Sequence, residues 1–305
     1  MRTDDIDALL AVVQFASLNQ AAEYLGISQS AMTRRLQSFE QSLGATLLDR
    51  QTKPLKLTAI GHRVYEQCLT IKRETKRLES LLNQDAEPSG PLRLGIPQSL
   101  SEIALLPALI ALGEHYPQLR PQVTCGWGGQ LIKRLENVEL DSLLAMGPAQ
   151  QIFDAHLVTK ALCPLEVVVI AGKSLRIPAA RLSGCAHYGW VLNPDGCGLR
   201  AGLDRDLQAQ GLGLKINVET TGTQLQIGLV AQGLGLGLVP KAALAHSPHR
   251  GDIAIVELSD FRPKVQLWQV SSPGLGNLQR PTTFFAEKIV RGLAFNSMND
   301  KELTL

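Results

Sequence analysis

The sequence predicts an α + α/β chain. Short helices occupy residues 1–58, one long helix residues 59–88, and an α/β domain residues 91–305. Three observations carry this reading. Apolar residues recur at helical spacing near the amino terminus. The run Glu87-Pro88-Ser89-Gly90-Pro91 cannot continue a helix and so ends the long one. Beyond it, short apolar runs alternate with helical stretches, the pattern of mostly parallel sheets covered by helices.

In the amino-terminal part, Ile6, Leu9, Leu10 and Val13 form one helical stripe. Asn19 is a cap residue type and is expected to start a second helix whose inner residues are Ala21, Ala22 and Leu25. Gly26 suits the stop that follows, and Ser28 caps a third helix carrying Met32, Leu36, Phe39 and Leu43 on its apolar stripe. Thr58 caps the long helix. Its residues Val64, Cys68, Ile71, Thr75, Leu78 and Leu82 alternate by four and three, a seam that pairs with a second helix. The carboxy-terminal domain reads as strands at Leu92–Pro97, Gln122–Trp127, Leu143–Met146, Leu165–Ala171, Tyr188–Leu192, Leu214–Glu219, Gly235–Val239 and Val265–Val270, with helices between most of them.

Composition excludes several classes. The 305 residues amount to about two domains, and 45% apolar with 19% charged residues is a globular balance. Thirty Lys and Arg against 28 Asp and Glu leave +2, so any basic patch is local. No window reaches the ~18 apolar residues of a membrane span. The start, Met1-Arg2-Thr3-Asp4-Asp5, is acidic and lacks an apolar signal core, so the chain is expected to be soluble and cytoplasmic, with no membrane partner. Five cysteines (Cys68, Cys125, Cys163, Cys185, Cys197) lack C-x-x-C pairing, the six histidines lack metal-ligand spacing, and phosphate-loop, zinc-protease and nucleophile-elbow motifs are absent. Neither catalysis nor a cofactor nor a metal is expected.

The helices on either side of Leu25-Gly26-Ile27-Ser28 form a helix–turn–helix, at about residues 18–37. Gln29, Ser30, Thr33, Arg34 and Gln37 share the face of the third helix opposite its apolar stripe. These types suit a major groove: Gln bonds adenine, Arg bonds guanine, and Ser and Thr reach base edges or phosphates. An ordinary solvated face would look similar. Arg50, Lys53 and Lys56 shift the balance, because they surround Thr52-Lys53-Pro54-Leu55, which resembles a wing between two short strands. From Ser28 to Arg63, six Lys and Arg stand against two acids, a local charge of +4 that can neutralise phosphates.

The stretch from Phe15-Ala16-Ser17 through Ala21-Ala22-Glu23-Tyr24-Leu25-Gly26-Ile27-Ser28-Gln29-Ser30-Ala31 to Arg35-Leu36 resembles the winged helix–turn–helix of LysR-type transcriptional regulators. The resemblance continues through Leu47-Leu48-Asp49-Arg50 and Leu57-Thr58-Ala59-Ile60-Gly61. It extends to Gly90-Pro91-Leu92-Arg93-Leu94-Gly95 and to the glycine-rich run from Val230 to Pro240. Ser30 stands where the family often has proline. The resemblance implies a sequence-specific regulator bound to double-stranded promoter DNA as a homodimer or homotetramer, with RNA polymerase as a further candidate partner. It also implies a periplasmic-binding-protein-like regulatory domain. Its first half would span about residues 91–162 and 269–305, its second about 163–268, with a small organic effector between them.

Ligands of such sheets sit beyond the carboxyl ends of strands. Three loops qualify: Gln98, Ser99, Leu100 and Ser101; Gly128 and Gly129, where the family often has a hydroxyl residue; and Thr221 and Thr223, with Gly222 near a position where the family favours serine. Asn193 is expected to close the cleft from the second half. Helix capping without a ligand is the alternative for each loop. The segment Asp195-Gly196-Cys197-Gly198-Leu199-Arg200 resembles the reactive-thiol segment of the family's peroxide sensors, but no cysteine follows Cys197. A redox switch at Cys197 and a ligand-independent DNA-binding protein are the alternative functions.

Overall fold

The computed structural model describes residues 2–49, 55–82, 86–175, 177, 181–245 and 247–298. The chain forms two compact units, Met1–Gln84 and Asp85–Leu305.

The first unit contains α1 (Thr3–Phe15), α2 (Leu18–Tyr24), α3 (Gln29–Leu43), the two-residue strands β1 (Leu48–Asp49) and β2 (Lys56–Leu57), and α4 (Ala59–Leu82). Ile6, Leu9, Val12, Ala21, Met32, Leu36 and Phe39 fill one core. Ser28 caps α3 by accepting from the Ala31 amide at 3.2 Å, and Gly44 closes it in the left-handed region at φ +63°. The cap of α2 is Ser17, not Asn19: Ser17 Oγ accepts from the Gln20 amide at 3.4 Å, and its carbonyl takes the Ala21 amide. Asn19 lies inside the helix, because Ser17 offers the same chemistry two residues earlier and the earlier start adds a hydrogen-bonded residue. The seam of α4 also needs correction. Cys68 is 2% exposed and packs with Val64 into this unit's own core, so neither faces a second helix. Ile71 and Leu78 remain exposed. Residues 83–85 lie outside the described set, and Glu87 is not helical.

The second unit holds two five-stranded sheets. In chain order its main elements are β3 (Gly90–Pro97), α5 (Gln98–His115), β4 (Leu119–Gly126), α6 (Gly128–Glu136), β5 (Ser142–Gly147), β6 (Val158–Leu165), β7 (Val167–Gly172), α7 (Leu182–Cys185), β8 (Trp190–Leu192), α8 (Gly198–Ala209), β9 (Ile216–Glu219), α9 (Thr223–Ala231), β10 (Leu236–Pro240), β11 (Ile253–Val256), β12 (Val265–Ser271) and α10 (Gln279–Met298). The strand orders are β4-β3-β5-β12-β6 and β11-β7-β10-β8-β9.

Both sheets are mixed rather than mostly parallel: β12 runs antiparallel to β5 and β6, and β7 antiparallel to β10 and β11. β6 and β11 carry no legible signal. β6 is an edge strand, exposed for most of its length and containing Pro164, so it lacks the alternation of a half-buried strand. The expected half boundaries at 162/163 and 268/269 cut through β6 and β12, which pair along their whole lengths in the first sheet. The chain therefore crosses to the second half at Glu166 and has returned by Val265.

Leu92, Leu94 and Ile96 of β3 pack with Leu100, Ala104 and Leu112 of α5 and with Phe285 and Ile289 of α10. The second half closes over Trp190, Leu192, Leu203, Leu207 and Leu238. Among the described residues no helix is long and apolar enough to cross a membrane, and no group of His, Cys, Asp and Glu is placed to hold a metal ion.

Candidate nucleic-acid interface and ligand cleft

Helix α3 separates its two faces cleanly. Met32, Leu36 and Phe39 are buried, whereas Gln29, Ser30, Arg34 and Gln37 are exposed and Thr33 half-buried. Thr33 Oγ1 donates to the Gln29 carbonyl at 3.0 Å, and Ser30 Oγ lies 3.0 Å from Ser28 Oγ. The two adjacent arginines part company. Arg35 turns back to Asp4 of α1, at 3.7 Å. Arg34 touches only the Ser30 carbonyl, at 3.5 Å, and has no carboxylate partner among the described residues. Its guanidinium stays solvated and free to bond a base edge or a phosphate.

Strands β1 and β2 pair as Leu48↔Leu57 and Asp49↔Lys56, which makes the stem of a wing and leaves Lys56 exposed. Arg50 and Lys53 lie outside the described residues. The stem is anchored by Glu40, counted in the sequence as an acid diluting the basic patch. Its Oε1 accepts from the Leu47 amide at 2.7 Å and the Leu48 amide at 3.2 Å. Thr58 clamps the other side: its Oγ1 accepts from the Gly61 amide at 2.9 Å and donates to the Thr46 carbonyl at 2.8 Å.

In the second unit the residues of the first expected loop form the first turn of α5 and do double duty. Ser99 is 4% exposed, with Oγ 3.9 Å from Met146 Sδ, and Ser101 Oγ donates to the Gln98 carbonyl at 2.7 Å. Leu100 requires a correction. It is fully buried in the core of the first half and anchors the first turn of α5 from within, so it offers no surface to a ligand. Gly128 and Gly129 open α6, and a methyl group added at either would meet nothing within 4 Å. This wall has room that a side chain would otherwise occupy.

From the second half, the loop after β8 approaches the first. A Cβ at Gly196 would lie 3.7 Å from Trp127 Cβ, and one at Gly198 would lie 3.0 Å from the Met146 carbonyl. Asn193 is 6% exposed, and its Oδ1 is buried without a hydrogen-bond partner. Thr223, 2% exposed, likewise has an unpartnered Oγ1, whereas Thr221 is exposed. Buried polar atoms of this kind normally meet a ligand or an ordered water.

The residue that joins these loops is Glu102, which sequence reasoning missed. Its carboxylate accepts from the Thr223 amide (3.0 and 3.1 Å), the Gln224 amide (3.2 Å) and Gln98 Nε2 (3.3 Å). The available signal was its position one helical turn beyond Gln98. Nothing local shows that it meets a helix 121 residues away.

Comparison with known proteins agrees with this geometry. Residues 3–62 match the family model described as "Bacterial regulatory helix-turn-helix protein, lysR family", and residues 85–285 match "LysR substrate binding domain". HTH-type transcriptional regulator CzcR of Bacillus subtilis is 27% identical over 258 residues, 83% of this chain and 85% of that protein. HTH-type transcriptional regulator GltR of the same organism is 25% identical over 256 residues, 84% and 85% of the two chains. A cysteine mutant of Corynebacterium glutamicum OxyR superposes with a TM-score of 0.66 at 18% identity, covering 100% of this chain and 96% of the other. Full-length CbnR complexed with its target DNA gives 0.58 at 19% identity, covering 96% and 100%. At such identities these two structures speak for the fold alone. The winged amino-terminal unit, the two-sheet carboxy-terminal unit and the two family matches lead to one conclusion: this chain is a LysR-type DNA-binding transcription regulator with a substrate-binding domain.

Proposed function

We propose that the protein is a cytoplasmic, effector-controlled regulator that reads promoter DNA with Gln29, Ser30, Thr33, Arg34 and Gln37, while Arg50, Lys53 and Lys56 hold the phosphate backbone. The observation that carries this is the exposed Arg34, without a carboxylate partner among the described residues, on a face of α3 whose opposite side is core. Two such faces in a homodimer meet half-sites about one helical turn, or a multiple, apart. CbnR was solved on its target DNA, and dimers or tetramers of this chain fit the same use. Leu106 of α5 and Phe295 of α10, 71% and 64% exposed, line a groove of about 880 Å³ and, with the exposed Ile110 of α5, offer apolar surface that assembly of copies would cover. RNA polymerase is a further partner of this reading.

A small organic effector bound by Gln98, Ser99, Ser101, Gly128, Gly129, Asn193, Thr221 and Thr223 biases closure of the two halves. Closure changes the spacing of the DNA-reading units and with it the bend of the promoter. The shift is limited to the effector's differential affinity for the two states.

Footprinting and salt-dependent binding of the full chain test the interface. Arg34→Ala is expected to lose about 1–3 kcal/mol of operator affinity together with base preference at its contact. Lys56→Ala is expected to weaken all duplexes alike and to reduce the slope of log affinity against log salt by about one. Equal losses on operator and random DNA for Arg34→Ala would contradict the assignment.

The surroundings of Cys197 speak against the redox reading, at which the fold shared with OxyR hints. Cys197 is 4% exposed within the core of the second half, beyond easy reach of peroxide. Cys185 packs in the same core, where burial, and secondarily the nearby Asp260 charge, push its thiol up and keep it protonated. Cys197→Ser is therefore expected to leave promoter output under peroxide unchanged, as read with a reporter gene. Loss of a peroxide response in that variant would restore the redox reading.

A further inference from the structure

We propose that Glu102 determines the specificity of the cleft: its carboxylate is a built-in anion seated on the amino end of α9, so this wall refuses carboxylate and phosphate groups and favours a neutral or cationic ligand bearing hydrogen-bond donors. The inference rests on the effector-cleft reading above and narrows it to a class of ligand.

The first free amides of a helix are the groups an anionic ligand would take. Here two of them, those of Thr223 and Gln224, already donate to Glu102 at 3.0–3.2 Å from across the gap between the halves. Gln98 Nε2, one turn before Glu102, adds a fourth donor contact from the carboxylate's own side. Gly222 makes the approach feasible. At φ +95° it holds a backbone conformation that side chains rarely adopt, and a Cβ there would stand 3.5 Å from Glu102 Oε1.

The remaining charges near these residues are of both signs. Arg200 donates to Glu219 at 2.6 Å and to the Asn193 carbonyl at 3.2 Å, so its cation is engaged. Asp195 accepts from the Gly196 amide in its own loop. Glu102 and Asp195 add negative charge here and Arg200 is taken up by Glu219, while Lys288 and Arg291 line the groove that Glu102 and Gln224 border, so it is the occupied amides rather than the sum of charge that turn an anion away. The buried atoms left without partners include the side-chain oxygen Oδ1 of Asn193, an acceptor that a donor-bearing ligand would satisfy, and the Thr223 hydroxyl, which can accept or donate.

Thermal unfolding of the full chain in sodium acetate and in sodium chloride, at equal ionic strength and pH, tests this. The wild type is expected to melt at the same temperature in both salts. Glu102→Ala is expected to melt about 2–4 °C lower in chloride, the shift of one capping contact in a domain of this size. Acetate should recover part of that loss by occupying the vacated amides. Glu102→Gln, which fills the space without the charge, should show no acetate recovery. Acetate stabilising the wild type as much as Glu102→Ala overturns the proposal, as does a Glu102→Ala protein that melts with the wild type or ignores acetate. Operator binding measured on the same samples separates the readings: missing acetate recovery with operator binding intact removes only this proposal, whereas a wild type without operator preference removes the regulator reading beneath it.

Discussion

Replacing Arg93 with methionine is expected to cost the regulatory domain about 3–5 kcal/mol, the penalty for leaving a buried charge without its partner. Arg93 lies in β3 with 12% of its side chain exposed, and Asp141, immediately before β5, has 4%. The pair is bidentate. Arg93 Nη2 bonds Asp141 Oδ1, Nε bonds Oδ2 at 3.1 Å, and the Arg93 amide adds a second donor to Oδ2 at 2.8 Å. Nη1 reaches the Val138 carbonyl at 2.7 Å, at a residue held at φ +59° without being glycine. One guanidinium thus fixes the turn after α6 and sets the register of the central strands. Methionine fills the volume but leaves the Asp141 carboxylate desolvated with its backbone donor alone. Denaturant unfolding should show the loss, and Arg93→Met combined with Asp141→Leu should recover much of it, since removing both charges is far less costly than removing one. A single variant within about 1 kcal/mol of wild type would contradict the buried-pair account.

The second large effect is expected at Gly61. A Cβ added there would sit 2.1 Å from the Leu47 carbonyl oxygen and 2.9 Å from its carbon. These are backbone atoms that cannot rotate away. Leu47 is also the residue whose carbonyl takes the Thr58 amide at 2.9 Å and whose amide donates to Glu40. Gly61→Ala must therefore push the first turn of α4 away from the strand that carries the wing. We expect a cost of about 1–3 kcal/mol to the amino-terminal unit, with weaker operator binding. Gly113→Ala in α5 is the control: nothing lies within 4 Å of the added carbon, and the helix should gain about 0.5–1 kcal/mol. Unchanged melting and operator affinity for Gly61→Ala would show that the clamp is unimportant.

The amino-terminal unit was the more legible part of the chain, because its rules are local. Ser28, Gly44 and Thr58 cap or close helices through contacts within a few residues, and the apolar stripe of α3 needs only helical spacing. Ser17 and Asn19 show the limit, since two good cap residues two positions apart differ only in how much helix each start preserves. Val64 and Cys68 show another: spacing by four marks a buried stripe without saying what buries it. The carboxy-terminal errors are long-range. β6 is a strand only because β12, a hundred residues later, pairs with it. Leu100 and Ser99 are neighbours in the first turn of α5, yet one belongs to the core and the other reaches Met146. Glu102 reads as an ordinary helix-surface acid until α9 is placed opposite it.

The central claim is that the exposed side of α3 reads a particular duplex. The direct measurement is the affinity of the purified full chain for the DNA upstream of its own gene against a random duplex of equal length, at fixed ionic strength. The account predicts that the upstream DNA binds at least about a thousandfold more tightly, with protection in two related half-sites. Equal affinity for the two duplexes, falling identically as salt rises, would contradict it.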